Sequence, residues 1–235
     1  MVAHIPTLAW RDVPKMSCAQ ERQLTTLATG RYGLRMLDLM DRAGSSLGAL
    51  AAHLVPEGPV LVVVGRGHNG GAGISAACYL AELGRRLWVV PTHEAENYSG
   101  VPKEQLEKLA THSNVRVKSS LPKMKFSCVI DAAVGTGLEG PPRGRTLDVI
   151  TVLNNLGTTV LSLDVPTGMN ADDGSVPGDV VQATATLALA RPKPGTAPGG
   201  PVGELYVTGL GLPDTLYLDV GLEPFTAPAP WGRIV

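Results

Sequence analysis

The segment order of this chain predicts an α/β fold with one mostly parallel, doubly wound sheet. Three observations lead there. Short β-branched and apolar runs alternate with longer stretches of helical periodicity from residue 60 to residue 208, the pattern of successive βαβ units. The run VLVVV at residues 60–64 passes straight into the glycine-dense GRGHNGGAG, as a strand buried on both faces does when it feeds a tight turn and a helix. A chain of 235 residues can bury one substantial core and lies within the length range over which α/β proteins remain one domain.

The elements follow in order. After an irregular opening with prolines and mixed charge, Ser17 is placed to cap a first helix, with Gln20 at the capping-box position. Apolar residues at Leu24, Leu27, Leu37, Met40 and Leu47 continue a helical spacing that Gly33 divides in two. Residues 55–58 turn the chain into the strand at 60–64. A helix is expected over 70–83, with Ile74, Ala77, Cys78 and Ala81 on its apolar side and Gly84 as its stop; a strand at 87–90 completes a βαβ unit. A helix near 102–111, a short strand at 115–117 and a strong strand at 126–131 continue the alternation. A helix at 146–156 precedes strands at 159–165, 183–190 and 205–208. The Pro- and Gly-rich stretch 191–203 is too short for an interdomain linker and reads as a structured loop. Residues 223–231 read as a tail lying across the surface or on a partner.

Composition excludes several functions. Lys plus Arg number 20 against 21 for Asp plus Glu, so no global field recruits nucleic acid or an anionic membrane, and no Lys/Arg stripe or aromatic–basic interleaving specifies nucleic-acid binding. Cys18, Cys78 and Cys128 are far apart and lack metal-ligand spacing; they read as buried thiols in a reducing compartment. The N-terminus does not resemble a secretory signal, and no segment reaches the roughly 18 apolar residues of a membrane span. Cytoplasmic residence is expected.

Four loops, 65–73, 131–140, 164–170 and 191–195, each follow an expected strand. In open α/β sheets, ligands collect outside the C-terminal ends of the strands, so these distant segments are expected to line one cleft. Glycine permits close backbone approach, and the helix after the first loop can direct free N–H groups at phosphate. This predicts anion contact near residues 70–73; a tight strand-to-helix turn without a ligand is the alternative. Gly65, Gly67 and Gly70 satisfy GxGxxG, yet the acidic residue expected after the second strand is replaced by WVVPTHE, so the pattern does not indicate an NAD-dependent dehydrogenase.

Five motifs occur in a fixed order: LMDRAG at 39–44, GRGHNGGAG at 65–73, DAAVGTGLEG at 131–140, DVPTGMNADDG at 164–174 and RPKPG at 191–195. Taken together they resemble the YjeF N-terminal domain family, to which the NAD(P)H-hydrate epimerases belong. The resemblance covers residues 17–214, leaving 1–16 as an N-terminal extension and 215–235 as a C-terminal tail. It implies a three-layer Rossmann-like fold, often assembled as a homodimer, and binding of a hydrated reduced nicotinamide nucleotide. The implied activity is an isomerase reaction interconverting the R and S forms of NADHX or NADPHX, in which the nucleotide is substrate rather than redox cofactor.

The same resemblance implies site residues. Asn69, Asp131 and Thr167 match positions that hold a monovalent cation, usually potassium; local turn capping is the alternative for each. Asp164 matches a substrate-binding carboxylate suited to proton transfer, or it caps the VPTG turn. Gly70, Gly71 and Gly73, with Gly135, Thr136, Gly137, Leu138 and Gly140, are expected to close around phosphate or sugar. Lys193 matches a basic position near the ligand and Arg191 adds to its field, unless both simply face solvent. Arg143 and Arg145 are weaker candidates for an outer phosphate. His68 replaces an asparagine and serves either as an acid or base or as a loop hydrogen-bonding group.

Two departures stand out. Ala72 replaces the carboxylate of the family's GGDG sequence, and Asp41 and Arg42 occupy positions that often carry Glu and Asn. Three readings follow: an epimerase working through a changed network, an enzyme acting on another phosphorylated or cyclic metabolite, or a noncatalytic ligand- or protein-binding relative.

Overall fold

A computed structural model describes residues 5–138 and 140–235; Glu139 of the second glycine loop and the first four residues of the N-terminal extension lie outside it. The strands are β1 (Thr7–Leu8), β2 (Val60–Val64), β3 (Leu87–Pro91), β4 (Val115–Val117), β5 (Cys128–Ala132), β6 (Thr159–Leu163), β7 (Ala185–Leu189), β8 (Glu204–Thr208) and β9 (Gly232–Ile234). The helices are α1 (Cys18–Gly30), α2 (Met36–Leu54), α3 (His68–Glu82), α4 (Gly100–Leu109), α5 (Arg145–Asn155) and α6 (Asp214–Asp219). The sheet order is β1-β9-β8-β7-β6-β5-β2-β3-β4. Every pairing is parallel except β8 with β9.

Strand β2 shows why the fold has three layers. All five of its residues are buried, and they alternate between faces. Val60, Val62 and Val64 join Leu47, Leu50, Ile74 and Leu80 from α2 and α3, whereas Leu61 and Val63 join Val149, Ile150 and Leu153 from α5. The expected mostly parallel, Rossmann-like architecture is the observed one.

Local signals act as their chemistry dictates. The Ser17 side chain accepts from the Gln20 backbone N–H at 3.2 Å, and Gln20 Oε1 accepts from the Ser17 N–H at 3.0 Å, a complete capping box. Helices α2 and α3 pack in near backbone contact because Gly44 has no side chain. A Cβ there would lie 2.4 Å from the Ala72 carbonyl oxygen and 2.4 Å from Ser75 Cβ. Ala72 itself is 2% exposed, in the apolar cluster that includes Met40, Ala43 and Leu47.

Three short elements were not expected: β1, α6 and β9. Strand β9 lies between β8 and β1, so residues 232–234 add a strand to the sheet. In the tail, Phe225 and Ala227 pack against the cluster of Val13, Ala188 and Val207, and Trp231 is buried. Expected helix ends move by one or two residues, as frayed ends commonly do; α3 begins at His68 and α4 at Gly100. Cys18, Cys78 and Cys128 are free; Cys18 and Cys128 are buried as expected but Cys78 is only half-buried, and burial pushes the Cys18 and Cys128 thiols up to about 12, holding both uncharged. Among the described residues, no helix is long and apolar enough to cross a membrane.

Candidate functional site

Chain order places the cleft. From β2 the chain steps outward through β3 and β4, then returns to place β5 on the other side of β2. The loops leaving β2 and β5 therefore diverge at a switch point, where open α/β sheets receive ligands. These loops touch through backbone: a Cβ on Gly65 would lie 2.0 Å from the Ala133 carbonyl oxygen, and one on Gly70 would lie 1.8 Å from the Gly65 carbonyl oxygen. Gly135 abuts Asn69, with a Cβ position 3.1 Å from its Oδ1. Asn69 Nδ2 is buried and has no hydrogen-bond partner among the described residues.

Behind this crossing lies Asp131, fully buried at the end of β5. Its Oδ1 accepts from Thr167 Oγ1 at 2.7 Å and from the Ala133 N–H at 3.3 Å; its Oδ2 accepts from Ser162 Oγ and the Thr167 N–H, both at 2.9 Å. Four donors match the capacity of a carboxylate. Burial raises the Asp131 pKa, opposed by the hydrogen bonds from Thr167, Ser162 and Ala133. Thr167 Oγ1 also accepts from the Val134 N–H at 3.0 Å. One hydroxyl thus fastens the loop after β5 to the loop after β6.

Asp164 follows β6 with φ of 64°, a left-handed conformation that a short polar residue tolerates better than most. Strained backbone of this kind clusters at functional sites. Asp164 Oδ1 accepts from the Leu189 N–H at 3.2 Å and from Lys193 Nζ at 2.8 Å. The solvent-facing alternative for Lys193 fails, because its side chain is fully buried. Its ammonium also lies 3.7 Å from Glu21 Oε2, which accepts from Thr136 Oγ1 at 2.9 Å. Burial alone lowers the Lys193 pKa, but Asp164 and Glu21 together outweigh it and the net shift is upward. Glu21 is also raised: burial and the Asp164 charge outweigh the attraction of Lys193.

The expected residues thus divide. Asp164, Lys193 and Thr136 form one polar cluster, joined by Glu21; Asp131 and Thr167 form a second, with Asn69 and Gly135 in contact nearby. His68 is exposed at the first turn of α3, outside both clusters. Arg191 is buried over Tyr217, 4.8 Å from its ring centre, and donates to the Glu223 carbonyl; it pins the tail. Arg145 donates to the Ser119 carbonyl and lies 3.6 Å from Glu94, while Arg143 is exposed. The two α2 departures make structural contacts. Asp41 accepts from Ser75 Oγ at 2.6 Å, and Arg42 donates to the Leu210 carbonyl at 2.7 Å.

Glu21 was missed. It carries a sequence signal nonetheless: with Leu24 and Ala28, both buried, it falls at helical spacing on the inward stripe of α1. A carboxylate there must find a partner.

A parallel sheet whose C-terminal edge gathers glycine loops around a buried lysine and its carboxylates defines a Rossmann-like α/β protein with a cleft of the nucleotide-binding kind. More narrowly, the chain belongs to the family described as YjeF-related protein N-terminus, whose pattern matches residues 36–195. It is 73% identical, over 94% of its own length and 100% of the relative's, to the NAD(P)H-hydrate epimerase of Truepera radiovictrix. It is 35% identical to the NAD(P)H-hydrate epimerase of Dehalogenimonas lykanthroporepellens, over 91% of this chain and 89% of that one. Among solved structures, the yeast protein Ynu0 shares the fold with a TM-score of 0.79 at 23% identity, covering 93% of this chain and 98% of the yeast chain.

Proposed function

We propose that this protein is an NAD(P)H-hydrate epimerase, interconverting the R and S forms of NADHX and NADPHX. The observation that carries the reading is the Asp164–Lys193 pair, 2.8 Å apart and buried on a strained strand end beside the glycine loops. Relatives bearing that activity in their names, one matched along its whole length, support it.

The chemistry needs no redox step. The hydroxyl-bearing carbon beside the ring nitrogen loses its configuration when the hydroxyl leaves as water, giving an iminium. Water then returns from the opposite face. A carboxyl group can assist departure as an acid or activate the returning water as a base; Asp164 takes one such part and Lys193 holds it in place. Gly70, Gly71 and Gly73, with Gly135, Thr136, Gly137, Leu138 and Gly140, admit the phosphates and sugars. The outer phosphate falls to Arg145 and Arg143. His68, exposed, is assigned a loop contact to the nucleotide rather than proton transfer.

Ala72 does not count against competence. Its methyl lies buried in the cluster formed with α2, so the carboxylate absent there is not withdrawn from the Asp164–Lys193 cluster.

The residues also suit a potassium ion. Such an ion would take Asn69 Oδ1 and the Thr167 hydroxyl oxygen as neutral ligands and the Asp131 carboxylate as the charged one, displacing part of the four hydrogen bonds that Asp131 accepts. The ion would offset the buried carboxylate and order the two loops. Homodimeric assembly and cytoplasmic residence complete the proposal; light scattering of the purified protein tests the first.

The direct test supplies separated R and S forms of NADHX and NADPHX with potassium present and Asp164→Asn as control. Interconversion above background in the wild type and its loss in the variant are expected. Tight nucleotide binding without interconversion would overturn the assignment.

A further inference from the structure

Asp164 is not the only carboxylate on Lys193. Glu21 projects from α1, outside the span matched by the family pattern, and meets the same ammonium at 3.7 Å. Thr136, in the glycine loop expected to hold the substrate, donates to it. The side chain of Glu21 is 23% exposed, against 4% for Asp164 and none for Lys193. Glu21 therefore retains access to the open side of the cluster, and Lys193 lies behind both carboxylates.

Inversion at a carbon by loss and re-addition of water uses both faces of a planar intermediate. One carboxyl group cannot be adjacent to both faces without moving. Resting on the epimerase reading above, we propose that Glu21 is the second acid–base group of the site, serving the face opposite Asp164, with Lys193 as the proton bridge between them.

In one direction Glu21, as its carboxylic acid, gives its proton to the hydroxyl. The C–O bond breaks with its electron pair leaving on water, and the ring nitrogen lone pair forms the iminium. On the other face the Asp164 carboxylate takes a proton from an incoming water as the new C–O bond forms, and the iminium π pair returns to nitrogen. Lys193 then passes a proton to Glu21 and takes one from Asp164, restoring the starting state. The reverse reaction exchanges the two roles.

Burial holds Glu21 in its protonated form to higher pH than an exposed glutamate, in keeping with the acid role. The charged or titratable groups around it are Lys193, Asp164 and Cys18, with Asp172 bound to the Cys18 N–H at 2.8 Å. The Cys18 thiol stays neutral over the working range.

The test compares wild type, Glu21→Gln and Glu21→Asp for epimerisation across pH. Glu21→Gln keeps the shape and an acceptor for Thr136. It is expected to lower kcat about 100-fold or more, the scale of lost general acid catalysis, with KM little changed and the alkaline limb of the pH profile abolished. Glu21→Asp restores part of kcat and the limb. Infrared difference spectra of wild type against Glu21→Gln, taken without substrate, should show a protonated carboxyl band. Near-normal kcat in Glu21→Gln, or a lowered kcat with both limbs intact, overturns the proposal while the epimerase reading stands. A wild-type protein with no turnover overturns that reading first, and the proposal with it.

Discussion

Replacing Lys193 by Met removes the cation around which the cleft is organised and keeps most of its aliphatic volume. Among the described residues, Asp164 would retain only the Leu189 N–H and Glu21 only the Thr136 hydroxyl, leaving two acidic groups without the cation between them. Truncating one partner of a buried pair commonly costs about 3–5 kcal/mol. Because Glu21 is partly exposed and more distant, the lower half of that range, about 3–4 kcal/mol, is expected. For a chain of this size that corresponds to a fall in Tm of about 6–16 °C. Protonating the stranded carboxylates relieves their repulsion, so the deficit shrinks as pH falls. Urea unfolding at pH 5 and pH 8, read as a change in midpoint at constant m-value, measures it. A deficit under about 1 kcal/mol, the worth of an exposed pair, or one that grows on acidification, would mean that Lys193 is not the cation on which the two carboxylates depend.

Other consequences can be measured on the same protein. Glu21 has a folded-state pKa raised above its ordinary value of 4.5, so its contribution to stability is present below that value and lost as pH rises through the folded-state pKa. Glu21→Gln should therefore be at least as stable as wild type at pH 8, with its advantage disappearing toward pH 4 in thermal melts. Gly44→Ala places a methyl 2.4 Å from the Ala72 carbonyl oxygen and should cost about 1–3 kcal/mol or more by overpacking the α2–α3 contact, measurable by denaturant titration. Thr167→Val deprives Asp131 of a donor and the Val134 N–H of its acceptor, costing about 1–3 kcal/mol for each buried group left unpaired. It should also abolish any rise in Tm that potassium gives the wild type over tetramethylammonium.

The central sheet was legible because its strands are continuous apolar runs bounded by glycine and proline, and burial on both faces leaves little room for another reading. The edge beyond β8 was not. GRI at 232–234 and TL at 7–8 are too short for any periodicity to emerge, and they become strands only because β8 offers an unpaired edge. At the site, Asp164 and Lys193 were named from their motifs. The full burial of Lys193 was open, because a lysine in a Pro-Gly loop carries no local mark of depth. Glu21 belongs to a helix whose capping box marks its N-terminus, while its place on the inward stripe is evident only once α1 is laid over the cleft. Arg191 matched the same short motif as Lys193, yet the two side chains part, one to the tail and one to the carboxylates.

On the proposed reaction, the cleft inverts a hydrated carbon by expelling and re-adding water under carboxyl control. The most direct measurement follows the conversion of pure R-NADHX to the S form in water enriched in oxygen-18, by mass spectrometry, for the wild type and Asp164→Asn. One solvent oxygen is expected to be incorporated for each inversion, at a rate far above the enzyme-free reaction, with loss of both inversion and incorporation in the variant. Inversion that retained the original oxygen, or undiminished exchange in Asp164→Asn, would contradict that reaction.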